Sequence, residues 1–216
     1  LPKRTPPMPL ALLVAAMAAV VLASNVLVQF VVAGGLLTWG AFTYPFAFLV
    51  TDLANRLHGA AAARRVVLWG FATGVLSSLA GSQVALATGP AVPLRVAVAS
   101  GAAFLAAQLL DVAVFQRLRG GAWWRAPLVS SIASSALDTA LFFGLAFSAA
   151  AGALFPAGAT AAVAWAQEPA PLLGLGSVAP LWASLALADW GVKVALALLA
   201  LWPYRLVVAR AARPAR

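Results

Sequence analysis

The sequence predicts an all-α polytopic membrane protein of six transmembrane helices with both termini in the cytoplasm. Three observations predict it. Of the 216 residues, 64% are hydrophobic and 9% charged, against about 45–50% and about 25% in ordinary globular domains. The apolar residues come in long runs, and a helix of about 20 apolar residues crosses a hydrocarbon core. The basic residues collect between alternate runs. The same composition excludes a disordered chain, which is poor in apolar residues. The absence of cysteine removes disulfide scaffolds, Cys-ligated zinc, iron–sulfur clusters and thiol catalysis.

The whole chain, 1–216, reads as one integral membrane domain. Its spans are expected over residues 10–32, 36–55, 66–88, 94–116, 127–151 and 178–203, separated by breaks rich in Gly and Pro. A barrel is excluded because its strands alternate apolar and polar residues, whereas these runs are apolar on every face. The first run follows Lys3 and Arg4 and resembles a signal peptide up to Ala23. It continues past the 7–15 residues of such a segment, so it reads as an uncleaved span in a chain that begins at Leu1. The stretch 152–177 is apolar yet carries Pro156, Pro169 and Pro171. It reads as a loose outer loop, an interfacial or re-entrant segment, or an extension of the fifth span.

The charges fix the orientation. Lys3 and Arg4; Arg56, Arg64 and Arg65; Arg117, Arg119 and Arg125; and Arg205, Arg210, Arg213 and Arg216 form four basic clusters. With six spans all four lie on one side, and the opposite side has Arg95 and Glu168. The positive-inside rule makes the basic side cytoplasmic. The net charge of +9 is then explained by topology and anionic lipid, so no nucleic-acid partner is expected.

No phosphate-binding G-x-x-x-x-G-K-[ST] loop occurs, and His58 is the single histidine. No metal site, cofactor or enzymatic centre is expected. Ionisable groups within spans are costly and mark functional sites, and four of the five acids lie within spans. Asp52 has Arg56 one turn on, and Asp111 has Gln108 one turn back and Arg117 nearby. These read as gate or structural ion pairs at the cytoplasmic ends of spans two and four. Asp138 and Asp189 each lie about 16 Å into their runs, at about 1.5 Å per residue, near the midplane. Asp138 continues a stripe with Ser131 and Ser135, and Asp189 has Lys193 at i+4. The two acids are expected to face one cavity with Lys193 and Asn25. Asn25 and Gln29 share a face of the first span, in its outer half, where amides either join helices or line a path. Trp39, Phe42, Tyr44 and Phe46 crowd the start of span two around Pro45. They read either as an interfacial belt or as a stacking wall beside a broken helix of the kind transporters use.

The run Thr38-Trp39-Gly40-Ala41-Phe42-Thr43-Tyr44-Pro45-Phe46, continuing to Asp52-Leu53, resembles the signature of the queuosine precursor transporter family, grouped with vitamin uptake transporters. Ser24-Asn25 with Gln29, Gln108 with Asp111, Trp123-Trp124, Asp138-Thr139 and Asp189-Trp190 with Lys193 extend the resemblance over roughly residues 24–204. The stretch 152–177 is longer than the family pattern. The resemblance implies a multi-pass importer of the cell inner membrane that carries 7-deazaguanine bases, precursors of a modified tRNA nucleoside. It implies a small-molecule substrate and a lipid bilayer as partners, with a homo-oligomer left open. The expected substrate-binding set is Asn25, Gln29, Trp39, Phe42, Tyr44, Gln108, Asp138, Asp189 and Lys193. Carboxylates would accept the N–H edge of a guanine-like base, amides would meet its carbonyl, and aromatic rings would stack on it. The alternative is a substrate-binding subunit of an energy-coupling-factor vitamin transporter, which also lacks its own ATPase.

Overall fold

A computed structural model describes residues 8–86 and 89–211. Lys3, Arg4, Arg213 and Arg216, part of the expected basic tails, lie outside the described residues. Six long helical stretches fall on the six apolar runs. They are α1 (Leu10–Leu27), the pair α2 (Trp39–Thr43) and α3 (Phe46–His58), α4 (Ala60–Ser82), α5 (Leu94–Leu118), α6 (Arg125–Phe147) and α8 (Leu181–Ala211), with the short α7 (Ala157–Ala161) between the last two. Among the described residues, strands are confined to three small antiparallel hairpins: β1 (Val31–Val32) with β2 (Leu37–Thr38), β3 (Ala85–Leu86) with β4 (Gly89–Pro90), and β5 (Pro169–Pro171) with β6 (Val178–Pro180). Four of the described helices, α1, α5, α6 and α8, are individually long and apolar enough to cross a membrane. The protein is an all-α, multi-pass membrane protein.

Several boundaries differ from the sequence expectation. The first helix stops at Leu27 rather than at residue 32. The β-branched pair Val31–Val32 turns back on Leu37–Thr38 through Gly34 and Gly35, whose φ angles of 65° and 98° suit glycine. Span two is two helices. Pro45 has no N–H to return to the carbonyl one turn back, so α2 ends at Thr43 and α3 starts at Phe46. Gly59, at φ 87°, ends α3 and starts α4 without a loop. That helix begins six residues earlier than expected because Arg64 and Arg65 sit in its first turns, within an alanine-rich stretch of high helix propensity.

The core is built where α1, α3, α4 and α5 meet. Leu13 and Met17 of α1, Val66 and Val67 of α4 and Phe115 of α5 are buried there, with Tyr204 of α8 closing the cluster. At the opposite end Phe143 and Phe147 of α6 pack with Ala99, Val163, Ala166 and Trp182. The stretch 152–177 thus forms a folded cap of short helical turns and a hairpin, not a loose loop. Arg95 fastens this end. It is 1% exposed, and its Nε and Nη2 donate to the carbonyls of Leu145 and Ser148 at 2.8 and 2.5 Å. These are free carbonyls at a helix C-terminus, where a cation is favoured.

The three described basic clusters converge on the other end of the molecule. Arg56 Nη1 donates to the carbonyl of Arg119 at 2.8 Å, and the Arg205 guanidinium lies 4.9 Å from the Trp123 ring centroid. His58 bonds to the carbonyl of Met8, bringing the residues just before α1 to the same end.

Candidate functional site

Two buried polar clusters occupy the helix bundle, both assembled on one face of α6. Serine is a poor choice against lipid unless its hydroxyl finds a partner. In α6, Ser130, Ser131, Ser134, Ser135, Asp138 and Thr139 are all buried. Their spacing of three and four residues puts them on one stripe.

The upper cluster is centred on Lys193. Its Nζ donates to Asp138 Oδ2 at 2.7 Å, to Asp189 Oδ2 at 2.5 Å and to Thr139 Oγ1 at 3.0 Å. All three ammonium hydrogens are therefore used. The Thr139 hydroxyl in turn donates to Asp189 Oδ2 at 2.8 Å. Tyr44, from the break between α2 and α3, donates its hydroxyl to Asp138 Oδ1 at 2.8 Å. The Lys193 nitrogen also lies 5.3 Å from the Tyr44 ring centroid, within cation–π range. Two carboxylates and one ammonium give the site a formal charge of −1. Asp189 Oδ1 has no hydrogen bond among the described residues, and this side chain is 15% exposed while Asp138 and Lys193 are nearly closed off. The arrangement is an acceptor site: it holds spare carboxylate capacity for N–H donors or a cation.

Two voids border it. A cavity of about 10 Å³ runs from Lys193 along Ser135 and Ser131 to Asp52 and Tyr204. That is room for about one water and none for a bicyclic base. On the other side an open groove of about 240 Å³ lies between α6 and α8, walled by Phe143, Trp182 and Trp190 with Thr139 at its edge.

The lower cluster lies between α3, α5 and α6. Ser130 and Ser131 donate to Asp52 Oδ1 and Oδ2 at 3.2 and 3.3 Å. Thr51 donates to Gln108 Oε1 at 2.5 Å, and Asn55 Nδ2 to the carbonyl of Val112 at 3.0 Å. Between these two contacts Asp111 of α5 lies beside Asp52 and Ser130.

The structure thus brings together four of the expected substrate residues, Tyr44, Asp138, Asp189 and Lys193, and disperses the others. Asn25 bonds to Ser77 at 2.5 Å and ties α1 to α4. Gln29 lies beyond the end of α1, exposed, with its amide on the carbonyl of Ala91. Gln108 belongs to the lower cluster. Trp39 is half exposed and stacks obliquely with Phe42, centroids 5.8 Å apart. Both expected ion pairs are absent: among the described residues the salt bridges are those of Lys193. Arg56 reaches a carbonyl instead of Asp52, because that carboxylate faces the α6 serines. Arg117 at i+6 from Asp111 points to a different face of its helix. Sequence reasoning missed Thr139, Ser130, Thr51 and Asn55. The first two extend the stripe of Ser131, Ser135 and Asp138 at helical spacing, and Trp182, Ala186 and Trp190 at i, i+4 and i+8 signalled the groove.

Comparison with known proteins decides the family. The family model described as "Putative vitamin uptake transporter" matches residues 38–207. The chain belongs to this vitamin uptake transporter family. The match takes in every member of both polar clusters and leaves out Asn25 and Gln29. The chain is also 40% identical over 141 residues to the queuosine precursor transporter of Escherichia coli (strain K12), covering 59% of this chain and 64% of that one. It is 40% identical over 121 residues to the "Probable queuosine precursor transporter" of Haemophilus influenzae, covering 51% and 52%. The chain therefore spans between half and two thirds of the length of these curated relatives. No solved structure matches it.

Proposed function

We propose that this vitamin uptake transporter family member imports queuosine precursors, 7-deazaguanine bases, across the cell inner membrane, and that Tyr44, Asp138, Asp189 and Lys193 hold the base. The observation that carries the reading is the buried acceptor cluster of charge −1 in the middle of α6 and α8. A guanine-like edge presents adjacent N–H donors, which a carboxylate accepts in pairs. An aminomethyl-bearing precursor adds a positive charge that would neutralise the site. The names of the two relatives support the substrate class. A buried carboxylate costs several kcal/mol unless it is compensated, and Lys193 supplies that compensation while the site is empty. When base takes one carboxylate, Lys193 keeps the other. No step of this scheme needs a bond to be made or broken, so the protein acts as a carrier and not as an enzyme.

The same reading places six spans in the membrane with both termini cytoplasmic. Its support is the convergence of the Arg56, Arg119 and Arg205 segments on one end together with the positive-inside rule. In α4 the two arginines lower the apolar character, and in the α2–α3 pair Pro45 divides the run, yet both lie beside helices long enough to cross.

The deciding experiment measures queuosine in tRNA of a host that lacks its own uptake gene and precursor synthesis, fed each deazaguanine in turn. Expression of this chain should restore the modified nucleoside, and Asp138→Asn or Asp189→Asn should reduce it while protein level is unchanged. No restoration by the unaltered chain with any precursor would end the assignment. Reporter fusions at both termini test the topology: an extracytoplasmic signal at either end would overturn six spans.

A further inference from the structure

The lower cluster lies apart from the four residues proposed to hold the base, and its hydrogen-bond pattern is incomplete in a specific way. Asp52 and Asp111 are 2% and 0% exposed, and neither meets a cation among the described residues. Asp52 receives two serine donors. Among the described residues Asp111 accepts no hydrogen bond on either oxygen, since the Ser130 hydroxyl beside it donates to Asp52, and the neighbouring Asn55 Oδ1 and Gln108 Nε2 are also buried without partners. Two ionised carboxylates side by side with this little compensation would repel strongly in a poorly polarisable interior. One proton removes the conflict. It turns an acceptor–acceptor contact into an O–H···O⁻ hydrogen bond, the short, charge-assisted kind. The surrounding groups supply no other remedy. On α3 the nearest cation, Arg56, is engaged with the carbonyl of Arg119, and Arg119, past the end of α5, with the carbonyl of Arg56. Facing α6 offers only hydroxyls. From α8 come Tyr204, whose hydroxyl is buried without a partner, and Lys193, which is held by Asp138 and Asp189.

We propose that Asp52 and Asp111 share one proton and form the coupling-ion site of the carrier, so that base enters together with a proton. The proposal rests on the importer reading. The pair lies on the side of the basic clusters, and the one-water cavity lined by Lys193, Ser135, Ser131 and Asp52 connects it to the base site. Deprotonation of the pair gives one proton to water on that side and leaves two carboxylates. The charge change of −1 is then felt by Lys193 across the cavity.

The test uses the full chain in proteoliposomes with a labelled aminomethyl-bearing 7-deazaguanine. Exchange between preloaded vesicles and medium needs no net ion movement. Net accumulation under an inward gradient of one pH unit does, and at one proton per base its limit is about tenfold, equivalent to 1.36 kcal/mol. The unaltered chain should exchange and should accumulate towards that limit. Asp111→Asn should exchange but not accumulate, because its amide can donate to Asp52 in place of the proton and cannot release one. Asp52→Asn is a second variant with the same expected outcome should the first fail to insert, and Asp111→Glu should keep the response. A chain that exchanges but ignores the pH gradient, or follows a sodium gradient instead, overturns the proton site. So does an Asp111→Asn protein that still accumulates. A chain with no exchange at all overturns the importer reading instead.

Discussion

Replacing Lys193 by methionine removes the ammonium while keeping the length of the side chain. The native residue makes three polar contacts between 2.5 and 3.0 Å, two of them to carboxylates. Without it Asp138 and Asp189 stand with a charge of −2 in a nearly closed site. Breaking a buried ion pair by deleting one member costs about 3–5 kcal/mol. For a chain of this size each kcal/mol lowers the melting temperature by about 2–4 °C, so Lys193→Met should melt roughly 6–20 °C lower. The assay is thermal melting of detergent-solubilised protein followed by size-exclusion fluorescence. A second variant separates charge from packing. Lys193→Met with Asp189→Asn returns the site to −1 and lets the new amide donate to Asp138 or Thr139. It should recover about half of the lost stability, a non-additive result expected of residues in one network. If Lys193→Met melts within the scatter of the unaltered protein, or if the double variant is worse than the single by the full cost of Asp189→Asn, the charge argument is wrong.

Tyr44→Phe deletes the donor to Asp138 Oδ1 and keeps the ring packed edge-on to Phe48 and Phe104. It should cost about 1.5–3 kcal/mol for a hydrogen bond to a charged group, read as a lower melting temperature with normal insertion. Arg95→Met removes two donors from the end of α6 and should cost a similar amount per bond. Arg95→Lys should restore only part of it, since a single ammonium cannot reproduce the fork, and full rescue would count against the capping role. Gly40→Ala puts a methyl 3.0 Å from the backbone of Ser24 and Val28. Backbone cannot yield as a side chain would, so a loss of about 1–3 kcal/mol is expected, and a neutral result would show that α1 and α2 are not in such close approach.

The sequence made the midplane acids legible because depth and charge are one-dimensional quantities. Asp138, Asp189 and Lys193 can be placed along their spans by counting, and the need to compensate buried charge then draws them together. Rotation of one helix about its axis is not a one-dimensional quantity. Asp52 and Arg56 are one turn apart and face each other in an isolated helix. The serines of α6, nearly eighty residues away, compete for the carboxylate and win because they are held against it by packing. Asn25 is not placed by counting for the same reason: its partner Ser77 is one of several hydroxyls on α4, with Thr73, Ser78 and Ser82, and nothing local marks which of them it meets. Gln29 was misplaced because an apolar run cannot distinguish a helix from a helix followed by a Val-Val hairpin. Pro45 was readable as a break, whereas the fold of 152–177 depends on tertiary contacts of Val163 and Ala166 with α6, which no local pattern encodes.

The cavity beside Lys193, at about 10 Å³, is too small to admit a base, and the way it is held shut bears on how it opens. Of the 31 residues of α8, only Ser184, Lys193 and Tyr204 are buried. Lys193 is fastened by the upper cluster, and Tyr204 stacks edge-on against Phe115 with centroids 6.4 Å apart. Along the cavity α8 presents Ala197, Ala200 and Leu201 between Lys193 and Tyr204, side chains with no polar group to bond across it. Helices in lipid gain nothing from apolar burial as such, since lipid tails are equally apolar. The polar attachment of α8 in its middle is therefore made by the bonds of Lys193. A donor-rich ligand competes for the same carboxylate oxygens, so occupancy of the site and release of α8 draw on the same interactions. Binding can shift an equilibrium only through contacts that differ between the two states, and the bonds of Lys193 to Asp138 and Asp189 are contacts of that kind.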